Sequence, residues 1–101
     1  MGKCAVYATE SFQKLYGSLT KDEQNWIKKA KEQLEEQLTG KPLHYDWFRE
    51  KKYLDKRLYF LVDEERGKVL FMSFAPKKDQ QKIIDFIVCN KDELLTHLRG
   101  L

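Results

Sequence analysis

Residues 56–74, KRLYFLVDEERGKVLFMSF, constrain the fold more than any other stretch. Two runs rich in β-branched and aromatic residues, Arg57–Val62 and Lys68–Phe74, flank the polar Asp63-Glu64-Glu65-Arg66-Gly67. Gly67 takes positive φ without steric cost, so the polar segment reads as a turn and the two runs as antiparallel partners. A chain holding this hairpin must build a sheet around it. Just upstream, YDWFREKKY at 45–53 also shows a period of two. Its odd positions Tyr45, Trp47, Arg49, Lys51 and Tyr53 fall on one strand face. These three runs predict a meander, and KCAVYA at 3–8 predicts a further short strand.

The remaining segments carry helical spacing. Thr9 is placed to cap a short helix in ESFQKLYGSL, with Phe12, Leu15, Tyr16 and Leu19 apolar and Gly17 favouring an early end. Thr20 with Glu23 makes a capping box for a longer helix. Its apolar stripe is Trp26, Ile27, Ala30, Leu34 and Leu38, and Gly40 and Pro42 mark its end. Ile83, Ile84, Ile87 and Val88 favour a helix over a strand after Asp79. Asn90 with Glu93 predicts a second capping box, opening a last helix with Leu94, Leu95 and Leu98. The expected fold class is α+β in the order β-α-α-β-β-β-α(-α), with a mostly antiparallel sheet and helices packed on one side. With 101 residues, 42% of them hydrophobic, one domain over 1–101 suffices.

Several function classes are excluded at this level. His44 and His97 are far apart and lack partners at ligand spacing, so no metal site is expected. The five glycines are scattered, with no phosphate-cradling loop, and no nucleophile elbow is present. Cys4 and Cys89 lack ligand spacing and read as two buried, reduced thiols. No signal peptide and no membrane span are visible, and a cytoplasmic protein is expected.

Charge gives the positive lead. The chain carries a net +3, but residues 41–60 alone hold +3 and residues 76–82 a further +2. Positive charge gathered into two segments points to a polyanion. Arg49 and Lys51 share their strand face with aromatic residues, as a surface for phosphates and unstacked bases would. Arg57 opens the next strand. Pro76 has no amide to extend a ladder, so it ends the last strand and delivers Lys77 and Lys78 to the sheet rim. The expectation is that Lys78 turns toward Arg57 and Lys77 toward solvent. Arg57, Lys78 and the Arg49/Lys51 face would then line one concavity.

In its element order, and in ATESFQKLYGSL, KRLYFLVDEERGKVLFMSF and APKKDQQ, the chain resembles the RelE/ParE toxin superfamily, and within it the RelE-like branch. The resemblance spans essentially the whole length. It implies the toxin of a type II toxin–antitoxin system: a ribosome-dependent endoribonuclease that cuts messenger RNA in the A site and is neutralised by a cognate antitoxin. It implies metal-free attack by the 2′-oxygen, with no cofactor. Carried over by position, Lys51, Arg57 and Lys78 are the expected catalytic residues. Arg49, Lys52, Lys77 and Tyr53 are the expected RNA contacts. Two departures stand out. Lys78 replaces a frequent arginine, losing bidentate phosphate recognition. Ile84 stands near the position of a family tyrosine, which moves proton exchange to Lys51, Tyr53, His44 or His97. The rival expectations are a ParE-like topoisomerase inhibitor and a RelE-fold binding module without activity.

Overall fold

The computed structural model describes residues 4–38, 41–43 and 45–101. The elements are β1 (Ala5–Ala8), α1 (Glu10–Gly17), α2 (Lys21–Glu36), β2 (Lys41–Leu43), β3 (Tyr45–Tyr53), β4 (Lys56–Asp63), β5 (Lys68–Pro76), a 3-10 turn (Lys77–Asp79), α3 (Gln80–Cys89) and α4 (Lys91–Arg99). The sheet runs β1-β5-β4-β3-β2. Every pairing is antiparallel except β1 with β5. The α+β class and the mostly antiparallel sheet are as the sequence predicts. The short β2, paired to β3 between Tyr45 and Glu50, is an addition.

Helices cover both faces of the sheet rather than one. The residues of β4 from Leu58 to Val62 are all buried and alternate between two cores. Leu58, Phe60 and Val62 pack with Phe12, Ile27, Ala30 and Leu34 from α1 and α2. Tyr59 and Leu61 pack with Ile84, Ile87 and Leu98 from α3 and α4. Five consecutive buried side chains give this stretch two faces to cover, and one layer of helices covers only one of them. The register slips between Tyr59 and Phe60. Phe71 and Phe74, three apart, therefore both face α1 and α2.

Leu34 and Phe60 are fully buried, whereas Trp26 is only half-buried, its ring tilted against that of Tyr53 with centroids 5.0 Å apart. Leu34→Ala and Phe60→Ala are expected to destabilise the protein by about 2–5 kcal/mol each. Exposed Lys77→Ala should change stability by less than about 0.5 kcal/mol. Urea midpoints for the three variants check this, and equal midpoints would contradict the core assignment.

Glu23 docks α2 onto the sheet. It closes the capping box with Thr20, and its carboxylate pairs with Lys56 Nζ at 2.6 Å. The hydrogen bond from Lys56 holds the Glu23 carboxyl below the ordinary value of 4.5. A carboxyl with a depressed folded pKa stabilises above its unfolded value and loses that contribution as pH falls through the folded one. Glu23→Gln should therefore be less stable than the parent at neutral pH, with the gap closing below about pH 4. Thermal melts across that window test it. A pH-independent gap would contradict the ion-pair account.

Two turns differ in comfort. Gly67 has φ 62 as anticipated, but Leu54, at the β3–β4 tip, has φ 53 and is exposed. Left-handed backbone costs a non-glycine residue roughly 1–2 kcal/mol, more than the ~0.5–1 kcal/mol of chain entropy that glycine adds. Leu54→Gly should raise the melting midpoint by a degree or more. A lowered midpoint would mean that Leu54 makes packing contacts worth more than the strain.

The last two helices meet at Asn90, and the expected capping box is absent. Asn90 has φ −110 and ψ 18, not the extended backbone of an N-cap, and its side-chain amide donates back to Phe86 O at 2.8 Å. Its side chain serves α3, while its carbonyl accepts the first bond of α4 from Leu94 N at 3.0 Å. Cys89 is exposed and Cys4 half-buried, so neither is the buried thiol expected.

Candidate functional site

The two-residue tip at Leu54-Asp55 fixes the β3–β4 register, and the register sorts the cations. Glu50 lies opposite Tyr59, Lys51 opposite Leu58, Lys52 opposite Arg57, and Tyr53 opposite Lys56. Partners across an antiparallel pair share a face. Lys52 and Arg57 therefore lie with Glu50 and Tyr59 on the α3/α4 face. Arg49, Lys51, Tyr53 and Lys56 lie on the α1/α2 face. The single concavity expected from the sequence is not what the fold makes, because the odd residues of β3 point away from Arg57.

On the α1/α2 face the polar side chains have structural partners. Arg49 Nη2 pairs with Glu64 at 2.7 Å, and its Nε donates to the Asp46 carbonyl at 3.0 Å. Lys51 Nζ reaches Gln33 Oε1 of α2 at 3.5 Å. Burial pushes the Lys51 ammonium below its usual value. Tyr53 packs its ring at a tilt against Trp26 and Phe74 in the core layer.

The α3/α4 face presents a different group at the Pro76 end of the sheet. Arg57 Nε lies 3.7 Å from Glu50 Oε1, and both side chains are nearly buried, at 12% and 13% exposure. The same carboxylate oxygen accepts from Gln80 Nε2 at 3.1 Å. Arg57 is registered with Ala75 of β5, so Lys77 and Lys78 follow two and three residues after its partner. Both lysines are exposed, and neither makes an ion pair among the described residues. Lys52 is also exposed, on the same face. The fold thus gathers Glu50, Lys52, Arg57 and the Lys77–Lys78 turn at one end of one face.

Other candidates lie elsewhere. His97 is exposed in the last turn of α4. The carbonyls that close that helix accept from Lys68 at the start of β5, the end opposite Pro76. His44 lies outside the described residues. Ile84 is buried in the second core and offers no proton. Among the described residues no cluster of His, Cys, Asp and Glu could hold a metal. No helix among them is long and apolar enough to cross a membrane. A cleft of about 560 Å³ between the β4–β5 turn and α4 is lined by five acidic and three basic residues, and holds none of this cluster.

Glu50 and Gln80 were missed from the sequence. Glu50 carried a usable signal: a two-residue tip at Leu54-Asp55 sets Lys52 opposite Arg57, and Glu50 shares a face with Lys52. Gln80 carried none, because its reach depends on how the turn after Pro76 packs.

No family model matches the chain, and no curated protein matches it at a significant level. Solved structures do. The free toxin RelE of E. coli, as an arginine-substituted variant, aligns with TM-score 0.68 at 17% identity, over 78% of this chain and 88% of that one. The intact E. coli RelBE toxin–antitoxin complex aligns with TM-score 0.63 at 18% identity, over 72% and 95%. The RelBE2 complex of Mycobacterium tuberculosis aligns with TM-score 0.62 at 20% identity, over 76% and 94%. With its element order, its mixed five-stranded sheet and these neighbours taken together, the chain has the RelE-like toxin fold.

Proposed function

We propose that the protein is a RelE-like toxin, a metal-independent endoribonuclease that cuts messenger RNA on the ribosome in the cytoplasm and is neutralised by a cognate antitoxin. The observation that carries this reading is the placement of Lys52 directly opposite Arg57. Like charges across a strand pair are destabilising. Such a pair, with two further lysines at the same sheet end, is accounted for by an anion that arrives later. Glu50 balances Arg57 in the free protein, and a phosphate balances the remainder.

Metal-free RNA cleavage needs a group to take the 2′ proton, positive charge on the phosphorane, and a proton for the departing 5′-oxygen. Glu50 is the carboxylate in place for the first. Arg57 and Lys52 supply the second, with the fork of Arg57 suited to two phosphate oxygens. Lys78, with Lys77 beside it, is the ammonium available for the third. The ribosome would hold the messenger in line, which lets a sparse site suffice. The antitoxin assignment is supported by the RelBE complexes among the structural neighbours.

The buried Ile84 favours a second reading, a RelE-fold module that binds RNA without cutting it. Mapping messenger 5′ ends on translating ribosomes after expression separates the two. Codon-phased cuts support the nuclease. Intact messengers with protein retained on ribosomes support the module. Intact messengers with altered plasmid supercoiling support a ParE-like action.

A further inference from the structure

We infer that Leu54, at the tip of the β3–β4 hairpin, is an apolar wedge that unstacks a base of single-stranded RNA next to the phosphate held at Arg57. The contact rests on the RNA-binding part of the proposed function and does not require that the RNA be cut.

Leu54 carries two features that folding does not ask for. Its backbone is left-handed, with φ 53, and among the described residues no other non-glycine residue takes positive φ. The two-residue tip between the paired Tyr53 and Lys56 is a place where glycine or asparagine serves without strain. Its side chain is 73% exposed, the most of any large apolar residue described. Leu54 belongs to neither core. A singly exposed leucine is ordinary, and so is left-handed backbone at a hairpin tip. A leucine that combines the two replaces a comfortable residue with a strained one and gains no packing. Strain that packing does not explain marks a surface that meets something else.

The surroundings indicate what arrives. Lys56 is registered with Pro76 of β5, so the tip stands beside the turn that carries Lys77 and Lys78. Lys52 is exposed two residues before Leu54, on the face it shares with Arg57. At no more than ~3.6 Å per residue, three residues keep Leu54 within about 11 Å of Arg57. Three exposed lysines around one exposed leucine suit a polyanion with apolar faces, which describes unpaired RNA. Leucine is among the side chains that part stacked bases. Parting one step frees a nucleotide to turn its 2′-oxygen into line with the departing 5′-oxygen, while Arg57 holds the phosphate.

Fluorescence on programmed ribosomes tests this. A messenger carrying 2-aminopurine at each position of the A-site codon in turn, with 2′-O-methyl groups to block cutting, reports unstacking as a brighter signal. The parent should raise the signal about 3-fold at one position. Leu54→Asn suits left-handed backbone and removes the apolar side chain, and Leu54→Gly does the same. Both should lose the rise, stay on the ribosome and melt no lower than the parent. On unblocked messenger both should lower kcat about 10-fold with KM unchanged, and Leu54→Met should recover most of the loss. No rise with the parent, or a rise that survives both substitutions, would overturn the wedge even if messengers are cut. Lost ribosome retention without a change in signal would make Leu54 a contact to the ribosome's own surface and overturn it as well. A lost rise with an unchanged kcat would overturn its part in orienting the nucleotide. A rise that depends on Leu54 in a protein that cuts no messenger would leave the wedge standing and remove the nuclease reading.

Discussion

Glu50→Gln should lower messenger cleavage on translating ribosomes by about 10²–10⁴-fold, the usual loss when a general base is removed. The substitution keeps shape and leaves an oxygen to accept from Gln80, so binding and folding should survive. The sequence alone pointed to Lys51 for this proton transfer. The structure puts Lys51 on the other face, against Gln33. Lys51→Ala should accordingly cost far less activity than Glu50→Gln. End mapping with purified ribosomes measures both. A Glu50→Gln protein that cuts like the parent would remove Glu50 from the chemistry.

Arg57→Ala should lower cleavage by about 10²–10³-fold, as loss of one charge donor to the transition state does. Its cost to folding is separable. The change leaves Glu50 nearly buried with only Gln80 as partner, so some destabilisation is expected alongside the kinetic loss. Arg57→Lys distinguishes the two effects. It keeps charge near Glu50, and stability with it, but loses the two-pronged donor. Stability close to the parent with cleavage still at least about 10-fold down would place the arginine fork at the phosphate. Full activity in Arg57→Lys would reduce its role to charge alone.

The parts of this fold legible in the sequence are those set by local pattern. The β4–β5 hairpin, the bounds of β3, the Thr20–Glu23 cap and the helical reading of α3 all depend on neighbours a few residues away, and all appear. What failed depended on facing. The period of two in β3 grouped Arg49, Lys51 and Tyr53 correctly. It could not say that Arg57 belongs with the even positions, because that follows from the number of residues in the tip at Leu54-Asp55. The second helical layer was hidden in the same way. Leu58 to Val62 read equally as a core strand under one cover or two, and only packing of α3 and α4 decides. Asn90 shows the limit of capping signatures, since its side chain turns back to Phe86 once two helices abut.

The most direct test of the account is whether activity follows the face of the sheet. Single-turnover cleavage of a messenger in programmed ribosomes would be compared for Lys52→Ala and Arg57→Ala on one face, and Arg49→Ala and Lys51→Ala on the other, with folding checked by thermal melts. The account predicts losses of about 10-fold or more for the first pair and near-parental rates for the folded members of the second. Loss confined to Arg49→Ala and Lys51→Ala, with Lys52→Ala and Arg57→Ala still cutting, would contradict it.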